Sequence, residues 1–229
     1  IEGEEEAGSQ GLAAVLETKQ QQLKADQLLV VDLALHEANV PQVCLGLRGI
    51  MPLTLELVGS NSDLHSGGHG GIAYNPNHAL VELLAKLRDK DGRVTAPGFY
   101  DDVVPLTTEE QSQVTFEFDT DRYREAFAAE PCGGEKHFQP AESVSIRPTL
   151  EINGIGGGYT GSGFKTVIPA KAIAKISCRL VPNQDPVKIG ALVEKFLHAN
   201  TPAGMQLKVE QHHGGRALRT DPKAKGVQA

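Results

Sequence analysis

Apolar and polar positions alternate along residues 50–59, Ile-Met-Pro-Leu-Thr-Leu-Glu-Leu-Val-Gly, which is the period-two signature of a strand with one wet face. The same period returns later: Ile173, Lys175, Ser177, Arg179 and Val181 fall on one face, with Ala174, Ile176, Cys178 and Leu180 on the other. Between them the spacing turns helical. Asn75-Pro76 opens a helix with Leu80, Leu83, Leu84 and Leu87 on one side, and Pro186 to His198 places Ile189, Leu192, Val193, Phe196 and Leu197 likewise. Shorter signals predict a helix over 9–25 with Ser9 as N-cap, a buried strand Leu28–Val31 ending in Asp32, and a strand from Val43 to Gly46. A short helix is expected from Arg122 to Glu130, a strand at Leu150–Asn153, and a closing strand from Met205 to Glu210.

Glycine punctuates this pattern. The stretch Gly59 to Gly71 is too glycine-rich for a helix interior and predicts a loop. A second glycine-rich segment, Gly154 to Gly163, is open between a flexible hairpin and a backbone that approaches a ligand. Residues 91–120 are turn-rich and 131–142 read as loop. From residue 50 to 213 the order is that of a split βαβ layer of the α+β type. Residues 1–49 have the strand–helix–strand character of an α/β domain, and 214–229 read as a polar tail. One domain inserted into another fits this arrangement, with 50–213 as the insert between 1–49 and 214–229.

Charge and composition narrow the function. The 229 residues carry a net charge of −7 with no basic run, which disfavours nucleic acid as partner. No apolar run is long enough for a membrane span. Cys44, Cys132 and Cys178 form no CxxC pattern and read as reduced, mostly buried thiols of a cytoplasmic protein. The opening Ile1-Glu2-Gly3 has the look of the middle of a longer polypeptide.

The candidate chemistry starts at the first residues. Glu2, Glu4, Glu5 and Glu6 crowd carboxylates ahead of the small-residue turn Ala7-Gly8-Ser9. They suit either the positive end of a helix dipole or a metal site in which one carboxylate is a ligand and its neighbour a general base. Asp32 at a strand end is either a turn residue or a further ligand. Taken singly, His65 reads as a loop histidine bonded to nearby backbone, Arg179 as a strand-face arginine paired with a surface acid, and Thr166 as a strand hydroxyl.

These residues come in a recognisable order. Glu2-Gly3-x-Glu5-Glu6-x-Gly8-Ser9, Asp32, Gly46-Leu47-Arg48-Gly49, Asp63-Leu64-His65-Ser66-Gly67, Asn75-Pro76 and Pro97-Gly98-Phe99-Tyr100-Asp101 are followed by Lys165-Thr166-Val167-Ile168-Pro169 and Arg179-Leu180-Val181-Pro182. The series resembles the co-catalytic zinc peptidases of the twentieth metallopeptidase family, and its last two segments resemble the dipeptidase branch. The resemblance implies an α/β zinc-peptidase catalytic domain with an inserted ferredoxin-like α+β lid that forms a homodimer, with 1–49 as a partial catalytic domain, 50–213 as the lid and 214–229 as the return to the catalytic domain. It implies Glu5 as general base, Glu6 and Asp32 as ligands to two zinc ions (manganese or cobalt as substitutes), and His65 as an oxyanion donor reaching the neighbouring subunit. Thr166 would contact substrate across the dimer, and Arg179 would hold the substrate carboxylate. The expected activity of the intact protein is hydrolysis of dipeptides, with N-acyl amino acids or a non-catalytic dimerisation module as alternatives.

One departure stands out. The family's upstream His-x-Asp pair has no counterpart, since none of the eight histidines is followed two residues later by Asp. Two carboxylates do not complete a zinc site, so this stretch alone is expected to be inactive and to hold no metal stably.

Overall fold

The computed structural model describes residues 3, 9–26, 28, 43–113, 117–221 and 223–228. They belong to two units, one of Leu45–Thr220 and one of Ile1–Cys44 with Asp221–Ala229. In chain order the elements begin with α1 (Gln10–Thr18), β1 (Gly46–Leu47), β2 (Gly49–Val58), β3 (Leu64–His65), α2 (Ser66–His69) and α3 (Pro76–Ala85). Next come α4 (Thr108–Gln113), α5 (Thr120–Phe127), α6 (Pro140–Ser145), β4 (Thr149–Gly157), β5 (Val167–Ile168) and β6 (Lys171–Leu180). The series ends with α7 (Pro186–Asn200), β7 (Gln206–Gln211), β8 (Leu218–Arg219) and α8 (Lys225–Gln228).

The larger unit is built on an antiparallel four-stranded sheet in the order β4-β6-β2-β7, with α3 and α7 as the crossovers. This is the split βαβ, ferredoxin-like arrangement that the alternation predicts. Period two decides which side chains are buried. Met51, Leu53, Leu55 and Leu57 of β2 and Ala172, Ala174, Ile176, Cys178 and Leu180 of β6 face the helices and are almost wholly covered. Leu80 and Leu83 of α3 and Ile189, Val193 and Leu197 of α7 complete this core. Gly190 on α7 packs closely: a Cβ there would displace the ends of the Met51 and Gln211 side chains.

Both crossover helices begin as their sequences dictate. Asn75 Oδ1 accepts from Asn77 N at 2.9 Å ahead of Pro76, and Asp185 Oδ1 accepts from Val187 N at 2.9 Å and Lys188 N at 3.1 Å ahead of Pro186. Ser9 differs. It precedes α1 with a left-handed φ of 51° and no side-chain cap bond, so the hydroxyl predicted to start that helix does not do so.

Several boundaries move. The predicted loop 59–71 contains β3 and the single turn α2, because the loop's backbone groups find partners in β5 and in the His65 ring. Glycine does not end β4: a bulge between Ile152 and Gly154 shifts the register, and pairing with β6 continues to Gly157↔Ala172. Strand β1 starts at Gly46 rather than Val43, and α4 and α6 lie in segments read as turn or loop. The first part of the polar 214–229 stretch is tied down, with Gly215 bridging Ile50 and β8 pairing with β1. Two of the three thiols, Cys44 and Cys132, are exposed; Cys178 is buried, and burial pushes its pKa up to about 12. The predicted strand Leu28–Val31 and Asp32 lie outside the described residues, apart from Leu28 itself.

A buried ion network braces the long connection between α3 and β4. Glu135, 7% exposed, accepts from Arg147 at 2.8 Å and from Arg93 at 3.1 Å. The Arg93 guanidinium lies 4.1 Å over the Tyr100 ring, and Arg147 lies 4.3 Å over Phe138. Removing the acid strands two partly desolvated cations, so Glu135→Ala is expected to lower stability by roughly 3 kcal/mol in urea unfolding.

Asp185 adds a pH dependence. The Lys188 N–H, then the Arg216 charge and the Val187 N–H, hold its carboxyl below the ordinary aspartate value. Its stabilisation is therefore complete above the unfolded value of about 3.9 and lost as pH falls through the lower folded value. Asp185→Asn keeps a capping oxygen without the titration, so its melting temperature should drop less than the parent's between pH 7 and pH 3.

Candidate active site

Strand β3 pairs with β5 through Leu64↔Ile168 and His65↔Val167, and Ser66 N donates to Thr166 O at 2.9 Å. The DLHSG and KTVIP segments, a hundred residues apart, are thus two sides of one ladder. Asp63 locks its far end, its Oδ1 accepting from Ala170 N at 2.8 Å, while Gly59 N donates to Ala170 O at 2.9 Å. The ladder places His65 Nε2 3.0 Å from Thr166 Oγ1.

The other ring nitrogen is also engaged. Gly67 N donates to His65 Nδ1 at 3.0 Å, so Nδ1 is an acceptor and the ring proton sits on Nε2. The imidazole is therefore neutral in this arrangement, with an N–H shared with the Thr166 hydroxyl and both side chains exposed. A neutral N–H donor beside a hydroxyl can stabilise a developing oxyanion without exchanging a proton. Gly67 also fits closely: a Cβ there would meet His65 Cε1 at 2.8 Å. His69 ends the short helix and has no part in this pair.

Arg179 lies at the opposite end of the sheet. It pairs across β6 with Ile50 on one side and Thr149 on the other, and its side chain is exposed. Among the described residues it has no ion-pair or hydrogen-bond partner, so no described acid neutralises it. From Lys171, where β6 begins beside the His65 ladder, to Arg179 is eight residue steps, or about 27 Å of strand. The structure brings His65 and Thr166 together and keeps Arg179 apart from them. The buried thiol of Cys178, held protonated by burial, takes no part in chemistry there.

Glu5, Glu6 and Asp32 lie outside the described residues. Among the described residues no group of three or more His, Cys, Asp or Glu side chains gathers to hold a metal ion. Two residues that shape the site were read only as members of motifs, with no role of their own. Asp63 fixes the His65–Thr166 ladder, a role its place two residues before His65 could have suggested. Arg48 lies beside the register that carries Arg179, and only its place in the Gly46-Leu47-Arg48-Gly49 motif hinted at a role.

The larger unit is thus an antiparallel four-stranded sheet with α3 and α7 packed on one face. Residues 45–205 match the Peptidase dimerisation domain family of the M20 peptidases. The chain belongs to that family. It is 34% identical to the Cys-Gly metallodipeptidase DUG1 of Candida albicans, over 97% of this chain and 47% of that protein. It is also 34% identical to the human Beta-Ala-His dipeptidase, over 86% of this chain and 39% of that one. The solved structure of the di-peptidase Dug1p from Saccharomyces cerevisiae superposes with a TM-score of 0.83 at 28% identity, covering 99% of this chain and 49% of that structure. The chain spans about half the length of the relatives it matches, or less.

If the His65 tautomer is as the hydrogen bonds require, long-range nitrogen–proton NMR correlation at pH 8 will show the proton on Nε2. A predominance of the Nδ1–H form would contradict the ladder geometry.

Proposed function

We propose that the protein carrying this chain is a metal-dependent dipeptidase that works as a homodimer joined through the 45–220 unit. The observation that carries the reading is the separation of His65 and Thr166 from Arg179 by the length of β6. A dipeptide is far shorter than that strand, so one substrate cannot touch both ends of one chain. Two-fold symmetry removes the conflict, because the His65 end of one subunit can meet the Arg179 end of the other. In this reading Arg179 takes the substrate's terminal carboxylate through its planar fork. From the other subunit, the His65 Nε2–H turns from the Thr166 hydroxyl to the scissile carbonyl oxygen, while the Gly67 N–H on Nδ1 keeps the imidazole oriented.

Glu5 acts as general base in the same proposal, and Glu6 and Asp32 as ligands in a site completed by residues beyond these. The two metal ions, zinc with manganese or cobalt as alternatives, supply Lewis acidity and a bound water of lowered pKa. The dipeptidases among the relatives support a dipeptide rather than an N-acyl amino acid as substrate. A cytoplasmic location is part of the proposal. No described helix is long and apolar enough to cross a membrane.

Subunit mixing tests the shared site in the full-length protein. His65→Ala and Arg179→Ala should each be nearly inactive. Exchanged at equal amounts, they form heterodimers with one intact site, recovering about a quarter of parental dipeptidase activity. No recovery, with exchange verified, would overturn the shared-site reading. Chelation should abolish parental activity and added zinc restore it; turnover unaffected by chelator would refute metal dependence.

A further inference from the structure

Arg48 stands at the Arg179 end of the sheet, in the link between β1 and β2. Its Nη1 donates to the main-chain oxygens of Ser143, at 3.3 Å, and Arg147, at 3.4 Å, at and just beyond the C-terminal end of α6. Two registers then bring it to Arg179. Gly49, the next residue, pairs with Leu180, and Arg147 lies two residues before Thr149, which pairs with Arg179 itself. The half-buried Arg48 guanidinium has its pKa lowered first by burial and then by the charge of Arg179, while Glu151 on β4 acts the other way. Among the described residues no carboxylate lies within ion-pair distance of either arginine. Like charges on neighbouring registers repel. Arg48 is held by two carbonyls, whereas Arg179, which has no such tether among the described residues, is exposed.

We infer that Arg48 is a positioning residue for carboxylate recognition: a second, fixed positive charge that orients Arg179 and strengthens its hold on the terminal carboxylate of a dipeptide. The inference rests on the proposed role of Arg179. Arg48 does not itself touch the substrate.

The test uses the full-length, metal-loaded protein and two substrates, a dipeptide with a free carboxylate and the same dipeptide as its C-terminal amide. Arg48→Gln should raise KM for the free acid about five- to tenfold with kcat within about twofold, and leave KM for the amide unchanged. Arg48→Lys, which keeps the charge, should retain most of the affinity. Melting temperatures of both variants report any loss of the α6 tether. An equal rise in KM for acid and amide, no rise for either, or a lysine variant as impaired as the glutamine one would overturn the inference. Arg179→Gln separates the two claims. If it leaves the preference for the acid intact, the carboxylate reading of Arg179 fails and the Arg48 role falls with it. If it abolishes the preference while Arg48→Gln does not weaken it, only the Arg48 role fails.

Discussion

The antiparallel pairing of β2 with β6 governs everything else in the larger unit. It runs without a break through ten rungs, from Gly49↔Leu180 to Val58↔Lys171, in the centre of the sheet. One face of these rungs supplies most of the core, so a slip of a single residue would turn Leu53, Leu55 and Leu57 out to water. Pro52 sits in this central strand, where a missing N–H would normally break a ladder. Its carbonyl accepts from His212 N at 3.0 Å, so its nitrogen also faces the β7 side, just past the last β2–β7 rung at Leu53↔Gln211. The β2–β6 ladder loses nothing.

That ladder also decides what a single chain can do. It continues beyond Val58 through Gly59, Ala170 and Asp63 into the β3–β5 pair, so His65 and Thr166 are held where the sheet ends. Arg179 is fixed at the other end by the same ten rungs. The rigidity that gives each group its orientation forbids their meeting within one subunit. All three side chains are exposed here, where water competes for every hydrogen bond and screens every charge. Under the proposed dimeric reading, closing one subunit over the other does two things: it assembles the groups, and it expels the water that weakens them.

The ferredoxin-like core was legible because its two signals, period two in β2 and β6 and helical spacing in α3 and α7, are long and agree with their caps. The misreadings have a common cause. A segment such as Ser66–His69 or Gly154–Gly157 has weak local preference, and its conformation is set by partners distant in sequence. Thr166 and His65 lie 101 residues apart, and no local pattern says that they share a rung. The acidic residues behind α4 and α6 were visible, but short helices capped by their own glutamates leave little periodicity to read. His65 and Arg179 stood out only as members of an ordered series of motifs. Their geometry gives each a specific capacity, an N–H donor in one case and, among the described residues, an arginine without an acid partner in the other.

Charge placement at the Arg179 end argues for more than a lone arginine. Glu135 is buried and fully committed to Arg93 and Arg147, which in turn stack on Tyr100 and Phe138. A buried ion network of this kind is a poor source of stability compared with an apolar substitute. Its distinctive effect is rigidity: it fixes Arg147, and the Arg147 carbonyl is one of the two oxygens that hold Arg48. The Ser143 carbonyl, the other, belongs to a helix started by Pro140 and by Glu142, whose Oε2 accepts from Gln139 N at 2.7 Å. The long connection between α3 and β4 therefore does not merely close a gap in the chain. It presents two carbonyls to one guanidinium, which, under the inference drawn for Arg48, serves as the fixed neighbour of a second.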